Sequence, residues 1–407
     1  MTTAMERKLF RLEGKVQHYA WGGYTYIPAL LGIPAGNTPS AEYWMGAHQS
    51  APSQVITPGG TITLDKLIQE RPQEVLGEAV WQRFGQLPYL FKILDVKDML
   101  SIQVHPSKTE AEKGFARENE AGIPLNAPDR NYKDANHKPE IMVALSDFWL
   151  LHGFLPHDAL QQVLKTVPEF ATLTSIYEQE GYKGLYKAVM EMPQEQVNTL
   201  LRPLAERVLP AYQANQLDKS DPAFWAGRAI ANDPEGMNRL DRGIFSIYFF
   251  NIMNVQPGEA VFQDAGIPHA YLEGQNVELM ANSDNVLRGG LTPKHIDVPE
   301  LLKHTRFEGV HPVIIQGSAV QDGLEQLYHS PAPDFAASKI ELQKGQVYKS
   351  TSNAAAILIV MKGTATITGS DTLALHKGQC ALVTNGEHYQ ISTDNEVVIF
   401  KAGPGQF

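Results

Sequence analysis

Hydrophobic spacing changes character twice along this 407-residue chain, and the order of the changes restricts the fold more than any single motif does. Up to about residue 150, runs such as YLFKILDV (89–96) and EIMVAL (140–145) are short, apolar and bounded by polar, Pro or Gly residues, as strands of a sandwich or barrel are. From Pro156 to Arg242, HDALQQVLKTV, YKGLYKAVMEM and QEQVNTLLRPLAERVLPAYQANQ space apolar residues by three and four, which predicts amphipathic helices punctuated or kinked by Pro168, Pro193, Pro203 and Pro210. Strand texture returns with IFSIYFFNIMNVQPGEAVFQDAGIPHAYLEG. Past the connector HSPAPDF it ends in AAILIVMKGTATITGSDTLALHKGQCALVTNGEHYQIS. Strands on both sides of the helical block would otherwise expose open edges. The expected plan is mainly β with a helical insertion: residues 1–150 and 243–325 closing one discontinuous barrel, a helical domain over 151–242, and a small barrel over 326–407.

A net charge of −11 with no run of Lys and Arg argues against nucleic acid or an anionic membrane as partner. Any anionic substrate must then be held by a few local cations. Cys380 is the only cysteine, which excludes an intrachain disulfide and a CxxC site and suits a reducing compartment. The start, MTTAMERKLFRLEG, lacks the apolar core of a signal peptide, and no stretch reaches the roughly 18 apolar residues that span a bilayer. A cytoplasmic protein is expected. No GxGxxG follows a strand and no P-loop spacing occurs, so nucleotide binding lacks support. The oligomeric state is not legible, and a monomer is compatible with the sequence.

Chemistry concentrates in SIQVHP (101–106), where Gln103 and His105 lie two apart on a predicted strand and so share one face. An isolated QxH is more often a half-buried strand with satisfied polar groups. A metal reading needs partners, and Glu140 in NHKPE and His269 in GIPHAY can supply them, giving two imidazoles, an amide oxygen and a carboxylate suited to Zn²⁺. Spacing alone shows only that such a site is possible. The turn Pro257–Gly258–Glu259 followed by a Pro-His pair resembles the second half of a cupin motif. The tail repeats that texture around Lys377, Gly378 and His388, but its preceding strand ILIVMKG carries no HxH or QxH, so the second barrel is expected to hold no metal.

SIQVHP, NHKPE, PHAY and SDNVLRGGLTPK, together with YAWG (19–22) and AEYWMGAH (41–48), resemble the motif set of type I mannose-6-phosphate isomerases, in the family order over the first 300 residues. Tyr43 stands where that family often has leucine, which touches no chemistry. The resemblance implies a double cupin with a helical domain, one Zn²⁺ per chain, and interconversion of mannose 6-phosphate and fructose 6-phosphate through an enediol or enediolate. It maps the zinc ligands onto Gln103, His105, Glu140 and His269, and a catalytic arginine onto Arg288.

These residue types suit the reaction. One carboxylate and three neutral ligands leave zinc a net positive charge, so Gln103 coordinates without blunting a Lewis acid. Arg288, permanently charged and planar, suits a developing oxyanion. Proton transfer falls to Lys138 or Glu278, between which the sequence does not choose. His137 is a helper candidate for opening the sugar ring. Lys294 is the first candidate to hold the phosphate, with Lys92 and Ser101 next, and Asp284 is expected to orient Arg288 through a bidentate pair. Trp21 and Trp44 are expected to pack as core or pocket wall. Two other readings are compatible with the same residues: an Fe(II) oxygenase on two histidines and a carboxylate, and a sugar-phosphate-binding regulator without turnover.

Overall fold

The computed structural model describes residues 5–406. Helices dominate residues 157–249 and strands most of the remainder. One ten-stranded sheet system runs, along its main path, through Phe250–Val255, Phe148–Phe154, His269–Ala281, Tyr89–Val96, Glu42–Gly46 and Lys15–Gln17. Phe154 and Phe250 are register partners in adjacent antiparallel strands, so the helices leave and re-enter the sheet at one place, as an enlarged hairpin loop would. Their apolar faces pack on one another and on the outer side of these strands in a single cluster that includes Leu160, Tyr186, Leu201, Trp225 and Phe249. Pro168 opens a short 3₁₀ segment and Pro193 precedes the helix Gln194–Gln213, which carries Pro203 and Pro210 inside it.

The segment Gly243–Phe249, expected to begin the returning strands, is a helix with all seven residues buried. A run that is apolar all round has no period from which helix and strand can be told apart. Helices also occur where short strands and turns were expected, at Leu64–Glu70, Glu78–Phe84 and Lys108–Glu120.

A second, twelve-stranded system carries Ala336–Gln343, Ala356–Thr368, Cys380–Val383 and Glu396–Gly403, and packs as a sandwich around Leu342, Leu358, Ile367, Ile391 and Ile399. It also takes in Leu9–Glu13, which pairs with Cys380–Val383 (Leu9 opposite Val383), followed by Gln54–Thr57 and Gly60–Thr63. These N-terminal strands, assigned from the sequence to the first barrel, thus hydrogen-bond into the C-terminal sheet system. No helix among the described residues is long and apolar enough to cross a membrane.

The long strand His269–Ala281 pairs with Phe148–Phe154 in its first half and with Tyr89–Val96 and Glu140–Ala144 in its second. The change of direction falls near Gly274, whose φ of +125° is closed to other residues and where a Cβ would lie 2.7 Å from the carbonyl oxygen of Asp147.

Candidate metal centre

Strand pairing assembles the site. Gln103 lies in the register position between Arg288 on one side and His269 on the other, and His269 is in turn opposite His152. Directly opposed residues present their side chains to the same face. One row across the sheet therefore brings together an arginine, an amide and two imidazoles. Glu140 begins the strand Glu140–Ala144, opposite Met280 and Gln263, and reaches the row from the side.

His105, Glu140 and His269 are all buried, and one ligand atom from each lies within 4.8 Å of the others. His105 Nε2 approaches one oxygen of Glu140 at 3.3 Å, and His269 Nε2 the other at 3.3 Å. The opposite ring nitrogens meet backbone carbonyls: His105 Nδ1 is 2.8 Å from the oxygen of Asn285, and His269 Nδ1 is 2.9 Å from that of Ile267. Carbonyls only accept, so both rings are Nδ1–H tautomers with the Nε2 lone pair aimed at the carboxylate. His105 Nε2 is fully buried and, despite its approach to Glu140, makes no hydrogen bond. Two lone pairs converging on one anion is an arrangement that a cation between them resolves, so the residues fit a divalent metal.

The electrostatics agree. Burial pushes the pKa of His105 down to about 4, so the ring is neutral and ready to ligate. Burial pushes Glu140 up, but the Lys138 ammonium at 3.1 Å leads the influences that outweigh it and hold the carboxyl well below its usual range. Beside this trio lies a cavity of about 50 Å³ lined by Glu140 and His269 together with Glu42, Lys92, Gln103, Lys138, Tyr271 and Glu278. Three carboxylates against two lysines leave it one negative charge, which a divalent ion would convert to one positive charge.

Of the other expected residues, Lys138 and Glu278 line this cavity. Burial raises the pKa of Glu278, Lys92 opposing. Lys92 was expected as a phosphate ligand. It is buried and clamped between Glu278 at 3.1 Å and Glu42 at 3.2 Å, so its charge is already neutralised and it is not a free cation for phosphate. Asp284 does not pair with Arg288: its carboxylate contacts His48 Nε2 at 3.1 Å. Arg288 is half-buried and has no carboxylate partner among the described residues. Ser101 is half-buried just before the strand Gln103–Val104. Lys294 is exposed and lines a separate hollow of about 360 Å³ with Arg239, Arg242 and His295. His137 lies outside the metal cavity in a third hollow, of about 640 Å³.

Three residues of the site escaped the sequence reading. Glu42 accepts from Trp44 Nε1 at 2.5 Å and from Lys92, Tyr271 lines the cavity with its hydroxyl unpartnered, and His152 Nδ1 meets Gln263 at 2.7 Å. Glu42 sits within the AEYWMGAH motif, the one signal that could have found it. Trp44 packs as wall, its ring 5.1 Å from the Lys92 ammonium, and Trp21 packs against the cluster of Phe148 and Tyr271.

Residues 9–157 match the family described as phosphomannose isomerase type I, catalytic domain, and residues 326–372 match phosphomannose isomerase type I C-terminal. The chain is 39% identical to the mannose-6-phosphate isomerase of Escherichia coli over 386 residues, covering 93% of this chain and 95% of that one. It is 34% identical to the human mannose-6-phosphate isomerase, covering 97% and 98%. Among solved structures, mannose 6-phosphate isomerase from Salmonella typhimurium bound to fructose 6-phosphate and zinc superposes with a TM-score of 0.85 at 34% identity, covering 98% of this chain and all of that one.

Proposed function

The chain belongs to the type I phosphomannose isomerase family, and from that premise we propose that it interconverts mannose 6-phosphate and fructose 6-phosphate with one Zn²⁺ held by Gln103, His105, Glu140 and His269. The observation that carries the proposal is the buried Nε2 of His105, unpartnered and facing, with that of His269, a single carboxylate. Gln103 lines the same cavity and adds a fourth donor without adding charge. Zinc bound here supplies a Lewis acid for the substrate's carbonyl and hydroxyl oxygens. The relative crystallised with fructose 6-phosphate and zinc supports both the substrate and the metal, and disfavours the oxygenase and regulator readings.

The chain's own residues account for the rest. Removing the C2 proton creates an enediol or enediolate, and Arg288, charged and with no acid partner among the described residues, stabilises the negative charge as it develops. Lys138 and Glu278 are the two cavity groups able to carry the proton between C2 and C1. His137 assists opening of the sugar ring. Lys294, exposed on a chain of net charge −11 and sharing its hollow with Arg239 and Arg242, anchors the phosphate, with Ser101 as a hydroxyl donor. We read the two β systems as a double cupin, the second without metal. The single buried cysteine is consistent with cytoplasmic residence.

A coupled assay with mannose 6-phosphate tests the proposal. Turnover should disappear on chelation and return on adding zinc. Turnover that survives complete metal removal would contradict it.

A further inference from the structure

His137 and its contact with the C-terminal unit are not explained by the metal cavity. The ring precedes Lys138 in the loop that leads into the strand Glu140–Ala144, and it does not line the cavity that Lys138 lines. It lines instead a hollow of about 640 Å³ together with His48, Lys133 and Asp284. The metal cavity, at about 50 Å³, has room for an ion and its oxygen ligands but not for a hexose phosphate, so most of the substrate must lie outside it.

The partner of His137 comes from 197 residues further along the chain. His137 Nε2 lies 2.8 Å from Oδ2 of Asp334, in the connector that leads into the strand Ala336–Gln343. Asp334 is only 2% exposed, and among the described residues its carboxylate has this one side-chain partner. Burying a carboxylate costs several kcal/mol unless a donor faces it, so the pair is a built feature rather than a surface coincidence. A carboxylate only accepts, so Nε2 carries a proton, and in the neutral imidazole the lone pair is on Nδ1. Nδ1 has no partner among the described residues, while the His137 side chain is 23% exposed.

We propose that Asp334 is a positioning residue through which the C-terminal unit completes the site: it fixes His137 as the Nε2–H tautomer and directs the Nδ1 lone pair into the 640 Å³ hollow as a proton acceptor for the substrate. This rests on the reading of His137 as the ring-opening residue. In that step Nδ1 takes the proton of the anomeric hydroxyl, the C1–O1 bond becomes a carbonyl as the C1–O5 bond breaks, and O5 leaves with the electron pair and takes a proton from water. A histidine held by a carboxylate on one nitrogen and acting through the other is a recurrent general-base arrangement. It also gives the second β unit a part in the chemistry, through one side chain.

The test combines the tautomer with kinetics. In zinc-loaded protein labelled with ¹⁵N-histidine, the His137 resonances are identified by their loss in His137→Gln, and their nitrogen shifts should report the Nε2–H form. Asp334→Ala should abolish that preference and lower kcat by about a hundredfold, with KM and zinc content little changed. Asp334→Asn, which keeps the shape, should fall between the two. An Nδ1–H tautomer in the unaltered protein would overturn the proposal, as would undiminished kcat in both variants. So would a loss of kcat that merely follows loss of zinc. If the unaltered protein did not isomerise mannose 6-phosphate, the functional reading would fall, and the nitrogen shifts would still decide whether Asp334 sets the tautomer.

Discussion

Arg288 differs from the lysines of the metal cavity in having no acid to hold among the described residues: Lys92 is shared between Glu42 and Glu278, and Lys138 faces Glu140. A cation without a partner is available to a charge that appears only during the reaction. Replacing Arg288 with alanine should therefore lower kcat by about a hundredfold or more and leave KM nearly unchanged, in steady-state kinetics with zinc-loaded protein. Lys294→Ala should do the reverse, raising KM by about tenfold with kcat retained. Exchanged profiles would contradict the division between oxyanion stabiliser and phosphate anchor. At this scale the sequence was informative where a residue type is rare for its setting, as with Gln103 and His105 on one strand face. It was silent on Glu42, Tyr271 and His152, because an acid, a phenol or a third imidazole in a strand means nothing until pairing shows what it faces. Asp284 illustrates the converse. Four residues from Arg288 in the chain, it turns to His48 instead, since chain proximity does not fix side-chain direction in a loop.

Among the elements, the strand His269–Ala281 carries the largest share of the design, delivering His269 from one half and Glu278 from the other. The bend at Gly274 permits both. Gly274→Ala should destabilise the protein by about 2 kcal/mol or more and lower its zinc affinity, since the added carbon meets the Asp147 carbonyl. Chemical denaturation and chelator competition measure the two effects, and an unchanged zinc affinity would show that the halves are positioned independently. A second element-level contact closes the C-terminal sandwich. Glu325 is buried and accepts from Lys401 at 2.5 Å, Ser338 at 2.5 Å and Tyr348 at 2.8 Å. Burial alone would raise its pKa, but these donors win and hold it below the ordinary 4.5. A depressed carboxylate contributes stability above its unfolded pKa, and that contribution is lost as pH falls through the folded value. Glu325→Gln should thus be less stable by about 2 kcal/mol at neutral pH, with the gap narrowing below the ordinary carboxylate range. A gap independent of pH would contradict this. Hydrophobic period predicted the helical block well because amphipathic helices advertise their buried face. It failed for Gly243–Phe249, where every face is buried.

For the whole molecule, the two β systems are tied together at both ends of the chain. Leu9–Glu13 completes the C-terminal sheet, and Asp334 reaches back to His137. Neither link was legible beforehand, because a pairing between residues 9 and 383 leaves no local pattern in either segment. What could be read was the order of textures, and with it the place where a helical block had to be looped out of a sheet. The centre of the account is that residues from three distant segments, 103–105, 140 and 269, hold one zinc ion. Crystals of the zinc-loaded protein, measured on both sides of the zinc absorption edge, test this most directly. A single anomalous peak within bonding distance of His105 Nε2, His269 Nε2, Glu140 and the Gln103 amide oxygen is the predicted result, and a peak elsewhere, or none among these four side chains, would contradict it.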